Sequence, residues 1–267
     1  MNTGLTELVF ILDRSGSMGG LESDTIGGFN GMIERQKSEG KQVNVTTVLF
    51  DNQVEIIYDR FPIEIIEPLT EKEYYVRGCT ALLDALGAAI EKIDNVQKHL
   101  PEAHKAGKVI FVITTDGLED SSENFTYEQI RRMISAKKEC GWEFLFLGAN
   151  IDAGKEAKKI DIARNRSVTY ENDPEGVVIN FKAVGRAVSK AVQAESMEEV
   201  FDGNWSEEIV EHLWKSDKKV CYNAIYEERD DSTDKYTRPS GYFVSDFNDA
   251  DSEVLKCFNA VKMYLGD

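Results

Sequence analysis

The stretch Leu8-Val9-Phe10-Ile11-Leu12-Asp13-Arg14-Ser15-Gly16-Ser17 decides the fold. Five apolar residues run without interruption into an acid, a glycine and two serines. A short continuous apolar run bounded by turn residues reads as a strand covered on both faces. A polar turn at its end is what an open α/β sheet presents beyond the carboxyl end of a strand. The pattern returns at Val109-Ile110-Phe111-Val112-Ile113-Thr114, which runs into Thr115-Asp116-Gly117, and again over residues 142–147. Helical periodicity fills the intervals. Residues 18–38 carry Leu21, Ile26, Phe29, Met32 and Ile33 on one face. Residues 80–98 carry Leu82, Leu83, Leu86, Ala89, Ile90 and Ile93, and residues 125–140 carry Ile130, Met133 and Ile134. A short helix over 152–160, a short strand over 167–170 and a long helix over 174–194 complete the rhythm. Pro174 stands near the start of the last helix, where its missing N–H costs nothing.

One connection departs from this alternation. Strands at 43–50 and 54–58 are separated only by Asp51-Asn52-Gln53. A parallel crossover needs a dozen or more residues, so these two strands form an antiparallel hairpin. The order β-α-β-β-α-β-α-β-α-β-α predicts an α/β fold: a doubly wound, mostly parallel six-stranded sheet with one antiparallel edge strand and helices on both faces.

That domain spans 1–195. Residues 196–267 hold 8 basic and 17 acidic residues, against 23 and 31 in the longer part, so the charge balance shifts at this boundary. The shorter part reads as an acidic C-terminal α+β extension packed on the main domain. Its expected elements are a helix over 196–214, strands at 219–227 and 241–247, and a helix over 251–265.

Composition narrows the partners. The chain has 267 residues, 42% of them hydrophobic, and a net charge of −17. That hydrophobic share excludes wholesale disorder. The acidity argues against nucleic acid and anionic membrane, which demand a basic footprint. No stretch reaches the roughly 20 apolar residues of a membrane helix, and the first residues lack the basic and apolar regions of a signal peptide. Cys79, Cys140, Cys221 and Cys257 lie far apart without a C-x-x-C pair, which argues against zinc and for reduced thiols in the cytoplasm.

Five side chains then read as one metal site: Asp13, Ser15, Ser17, Thr80 and Asp116. All are oxygen donors suited to a hard dication such as Mg²⁺ (or Mn²⁺). Asp13 and Asp116 end strands that are neighbours across the switch point of such a sheet. Ser15 and Ser17, two apart around Gly16, can aim their hydroxyls into one crevice, and Thr80 is expected to open a helix facing it. Two carboxylates balance the ion, three neutral hydroxyls leave it electrophilic, and a vacant position can accept an external carboxylate. Asp84, Glu119 and Asp120 are expected as solvated surface or outer supporting groups. Ser121 and Ser122 are expected to cap the next helix.

Enzyme readings fare worse. Residues 148–156, Gly-Ala-Asn-Ile-Asp-Ala-Gly-Lys-Glu, follow a strand as a phosphate loop would. They carry one residue too many between the glycines, and Glu156 stands where a Ser or Thr is needed. Asp13 as a phosphatase nucleophile would want a second Asp where Ser15 stands. His99, His104 and His212 suggest no catalytic pairing.

The segments 13–18, 78–86 and 115–122 together resemble the three loops of a von Willebrand factor type A domain with its metal-ion-dependent adhesion site. The D-x-S-x-S signature is specific, and the resemblance covers residues 5 to about 195. It implies a Rossmann-like fold in which Ser15, Ser17 and Thr80 touch the metal while Asp13 and Asp116 act largely through water. Asp-Gly-Leu-Glu-Asp-Ser-Ser is similar to intracellular bacterial and phage members. Cys79 departs from the Gly or Ser expected before the Thr, which would make the site sensitive to oxidation. The expectation is a non-enzymatic, metal-dependent protein-binding module whose partner supplies an Asp or Glu to the metal. An ATPase or a multiprotein assembly is the partner the resemblance suggests. A metal-assisted phosphohydrolase using the same crevice is the alternative.

Overall fold

In a computed structural model, residues 2–194, 200, 204–213, 215, 236–237 and 243–244 are described. The chain runs β1 (Asn2–Asp13), α1 (Glu22–Ser38), β2 (Gln42–Phe50), β3 (Val54–Pro62), α2 (Leu82–His99) and β4 (Ala106–Thr115). It continues α3 (Tyr127–Lys138), β5 (Trp142–Ala149), α4 (Ala153–Lys159), β6 (Ser167–Tyr170) and α5 (Pro174–Gln193). The six strands lie in the order β3-β2-β1-β4-β5-β6. All pairs are parallel except β2 with β3. β1 is central, with β2 on one side and β4 on the other, so the winding reverses at its carboxyl end.

Alternation along β1 builds two cores. Leu8, Phe10 and Leu12 meet α1 and α5, while Val9 and Ile11 meet α2, α3 and α4. All five are 0% exposed, and burying each stabilises by about 1.5–3 kcal/mol. Apolar residues on both faces leave the strand's register underdetermined. Glu7, equally buried, fixes it: its carboxylate accepts from Asn44 Nδ2 of β2 and Arg60 Nε of β3, both at 3.0 Å. Arg60 reaches inward from an irregularity in the β2–β3 pairing, with φ of 55°.

Helix starts differ from the sequence expectation where tertiary bonds take over. α2 begins at Leu82, so Thr80 precedes the helix instead of opening it. The Thr80 N–H is committed to Asp120 Oδ1 (2.9 Å) and the Ala81 N–H to Asp51 O (2.8 Å), which holds this backbone out of the helix. α3 is not capped by Ser121 and Ser122. Thr126 caps it, in a reciprocal box with Gln129. The first helix is shortened at its start, because Gly16–Met18 form a separate 3₁₀ turn.

Beyond α5, a 3₁₀ turn (Asn204–Ser206) leads into a helix at 207–213. Trp205 and Ile209 join the core beside α5, and Trp205 Nε1 donates to Asn165 O at 2.8 Å. The expected strand at 219–227 and helix at 251–265 lie outside the described residues. Of 241–247 only Phe243–Val244 is described, paired antiparallel with Tyr236–Thr237. Among the described residues no helix is long and apolar enough to cross a membrane.

Candidate metal centre

Three loops meet beyond the carboxyl ends of β1 and β4. The first leaves β1 at Asp13, whose Oδ1 accepts the Ser15 N–H at 2.7 Å and so folds the turn over itself. The second is stitched to it by two backbone bonds, Gly16 N to Gly78 O (3.1 Å) and Arg77 N to Arg14 O (2.9 Å). Gly78 has φ of 68°, and a Cβ there would lie 2.2 Å from Asn52 Oδ1, so only glycine fits this crossing. The third leaves β4 at Asp116-Gly117. A Cβ on Gly117 would stand 3.3 Å from Thr80 Oγ1 and 3.7 Å from Ser17 Oγ, so both hydroxyls border the same small space.

The five expected side chains come together here. Ser15 Oγ and Ser17 Oγ are 3.1 Å apart, and Ser17 Oγ donates to Asp116 Oδ1 at 2.5 Å. Asp13 Oδ2 accepts from Thr115 Oγ1 at 2.7 Å, so both its oxygens are engaged within the protein. Asp116 Oδ2 accepts from Asn172 Nδ2 at 3.2 Å. Asp13, Ser15, Thr80 and Asp116 are all buried. Burial pushes the Asp13 carboxyl up from 3.8 to about 6, against the hydrogen bonds from Ser15 and Thr115 that favour its charged form. Burial also raises Asp116, against Ser17 and Asn172.

A second tier of polar residues, which periodicity could not announce, holds these loops. Arg14, within the first loop, is 0% exposed. Its guanidinium points away from the crevice: Nε donates to Asp51 Oδ2 at 2.9 Å and Nη2 lies 2.9 Å from Glu55 Oε2. Arg77 Nε reaches the same Asp51 oxygen at 2.7 Å. The Tyr74 hydroxyl, buried and with its pKa raised by that burial, donates to Asp13 O at 2.6 Å.

The three acids expected as solvated or outer groups support the loops from outside the crevice: Asp120 is exposed and Asp84 buried, and each caps backbone N–H groups. Asp120 Oδ1 accepts the Thr80 N–H, and Asp120 N donates to Thr80 O at 3.1 Å, a reciprocal bridge between two loops. Glu119 Oε2 accepts the Leu83 N–H at 2.9 Å, taking the place of a helix cap. Asp84, buried in the first turn of α2, accepts N–H groups from Glu123, Asn124 and Phe125 at 3.0, 2.9 and 2.9 Å. Those hydrogen bonds outweigh its desolvation and lower its pKa. The Asp84 N–H in turn donates to Ser122 Oγ at 3.0 Å.

The donor set fits a hard dication. Two buried carboxylates and three hydroxyls offer only oxygen. Among the described residues no arginine, lysine or histidine offsets the charge of Asp13 or Asp116. Burying carboxylates without a cation is costly, and a bound metal would relieve it. Among the described residues no three His, Cys, Asp or Glu side chains gather as a metal cluster. The crevice accordingly supplies two negative charges and completes its oxygen set with hydroxyls. Cys79, beside Thr80, is an exposed free thiol.

No protein-family model matches the chain, and no curated protein matches its sequence. Solved structures do. The von Willebrand factor domain of the type V pilus tip protein Mfa5 from Porphyromonas gingivalis aligns with a TM-score of 0.54 and 11% identity, over 73% of this chain and 98% of that one. A von Willebrand factor type A protein from Catenulispora acidiphila aligns at 0.49 and 16%, over 68% and 42%. Proximal thread matrix protein 1 from the mussel byssus, with a zinc-occupied metal-ion-dependent adhesion site, aligns at 0.49 and 13%, over 70% and 46%. The chain thus spans less than half the length of the latter two. The pilus-tip alignment gives the fold, that of von Willebrand factor type A domains.

Proposed function

We propose that the chain is a metal-dependent protein-binding module. In this reading the hydroxyls of Ser15, Ser17 and Thr80 contact Mg²⁺ or Mn²⁺, and Asp13 and Asp116 act through bound water. The remaining position takes an Asp or Glu from a partner protein. One observation carries the reading: two buried carboxylates, each pushed toward protonation by burial, stand among hydroxyls with no cation among the described residues to balance them. A dication restores the balance, and neutral hydroxyl ligands leave it net positive toward an incoming carboxylate.

The module is non-enzymatic and cytoplasmic, of the intracellular bacterial or phage type, and serves an ATPase or a multiprotein assembly. The phosphohydrolase alternative needs cationic side chains for a phosphoryl group. Arg14 and Arg77, which flank the first loop, are both bound to Asp51. A phosphatase screen with Mg²⁺ separates the readings: turnover abolished by Asp13→Asn would favour the enzyme.

The direct test is calorimetry on the full chain after stripping with chelator. Mg²⁺ or Mn²⁺ uptake is expected, together with partner capture that is lost in EDTA and in Asp116→Ala. Capture indifferent to both, or no uptake of either ion, overturns the proposal.

A further inference from the structure

A fourth connection reaches the metal crevice, from the edge of the sheet. β6 stands two strands beyond β4, about 10 Å away at the usual strand spacing. Asn172 follows β6 by two residues and crosses that gap, donating from Nδ2 to Asp116 Oδ2 at 3.2 Å. The other Asp116 oxygen already accepts from Ser17.

Both sides of Asn172 are fixed. Tyr170 is buried and pairs with Ala149 at the end of β6. Asp173 caps α5, its Oδ1 accepting the Gly176 N–H at 2.6 Å. A Cβ on Gly176 would lie 2.1 Å from Glu171 O, so this turn closes tightly enough to need glycine there. His212 Nε2 stands 3.3 Å from the same Asp173 oxygen, so the chain beyond α5 braces the turn as well. A side chain mounted on so rigid a turn keeps its place at little entropic cost.

The two arms of the amide are used unequally. Nδ2 faces Asp116, and the reverse orientation would set two acceptors against each other. Oδ1 is buried and has no hydrogen-bond partner among the described residues. A tie between two loops needs the donor arm alone, and a buried acceptor left unmade costs about 1–3 kcal/mol. Asp13 and Asp116 show a matching deficit, being buried with no described cation beside them. A cation that keeps part of its water shell, as Mg²⁺ does, answers both: it brings charge for the acids and O–H donors for the amide oxygen.

From this we infer that Asn172 is a sixth residue of the metal centre, a positioning residue that holds Asp116 through Nδ2 and accepts through Oδ1 from water bound to the cation. The inference rests on the metal reading above. It adds a fourth connection to the three loops and makes the hydrated cation the one this centre prefers.

The test uses the full chain, stripped with chelator, and the near-isosteric Asn172→Leu. Calorimetry with Mg²⁺ and with Mn²⁺ should show affinity weakened about 10–100-fold, the usual range for groups that orient metal ligands. Thermal unfolding in chelator should leave the variant about as stable as the wild type, because removing the stranded oxygen offsets the lost tie to Asp116. A merely structural tie predicts the reverse, a destabilised metal-free protein with unchanged affinity, and that result overturns the inference. A second readout needs no variant. In a heteronuclear correlation spectrum of the isotope-labelled wild type, the Asn172 side-chain amide signal should shift with Mg²⁺ and saturate along the calorimetric curve. A signal unmoved at saturating Mg²⁺ overturns the inference, as does Asn172→Leu binding like the wild type. No uptake by the wild type removes the metal reading and this inference with it, whereas normal uptake without any part for Asn172 removes the inference alone.

Discussion

Asp13 and Asp51 both leave the carboxyl ends of adjacent parallel strands, and both are buried, yet they live in opposite surroundings. Asp51 receives two arginines and a backbone N–H. Asp13 receives a backbone N–H and a hydroxyl but no cation, and its pKa is pushed up to about 6. The same contrast separates Asp116, raised by burial, from Asp84, lowered by a ring of N–H donors. One pair braces the loops, and the other carries charge the fold leaves unbalanced. A carboxylate that stabilises the protein and one that waits for a cation are thus told apart by what surrounds them, since residue type and burial are the same.

The largest break of this contrast is Asp51→Ala. It leaves the fully buried Arg14 guanidinium only the half-exposed Glu55 as a carboxylate partner, and removing one partner of a buried ion pair costs about 3–5 kcal/mol. Denaturant unfolding of the metal-free protein should show a loss of that order, whereas Asp13→Asn should not destabilise it at pH 7.

The second is pH dependence. Asp13 has a folded-state pKa of about 6 against 3.8 ordinarily, so the fold favours its protonated form. Its contribution is complete below about pH 4 and is lost as pH rises through 6. The difference is worth about 3 kcal/mol at roughly 1.36 kcal/mol per pKa unit. In chelator, unfolding free energy measured between pH 4 and 7 should fall by that order for the wild type relative to Asp13→Asn. Parallel profiles for the two proteins would remove Asp13 as an unbalanced charge.

A smaller effect tests the outer tier. Asp120→Asn weakens the bridge to the Thr80 N–H, and groups that orient metal ligands typically contribute about 10–100-fold in affinity. Calorimetry should show Mg²⁺ or Mn²⁺ binding weakened within that range with little change in thermal stability. The smallest is Thr126→Ala, which removes the α3 cap well away from the charge contrast. It should cost about 1 kcal/mol and leave metal affinity unchanged.

Much of this was legible in the sequence. The element order followed from periodicity, and the hairpin followed from a three-residue connection that permits nothing else. Asp13, Ser15, Ser17 and Asp116 could be grouped because strand ends and turn chemistry are local properties. The Thr80 hydroxyl does border the same space as Ser17, but its expected place at the head of α2 was wrong, because Asp120 and Asp51 hold that backbone out of the helix. Ser121 and Ser122 were expected to cap α3. Ser122 Oγ instead accepts the Asp84 N–H and donates to Glu119, and Ser121 gives only its N–H to Glu119, since loops from distant parts of the chain satisfy each other's polar groups. Arg14 gave no sign of its burial, because its partner Asp51 lies 37 residues away. Asn172 and Tyr74 gave none either, as they reach the crevice from separate connections.

By itself the sequence determined which segments are strands and helices and which of their ends carry oxygen donors. Hydrophobic period and turn chemistry are written within a dozen residues of one another. The tertiary structure alone decided which acids would be neutralised and which left bare. That depends on the strand order bringing loops 40 to 100 residues apart into hydrogen-bonding distance, where burial sets the cost of an unpaired charge and only a neighbouring donor can offset it.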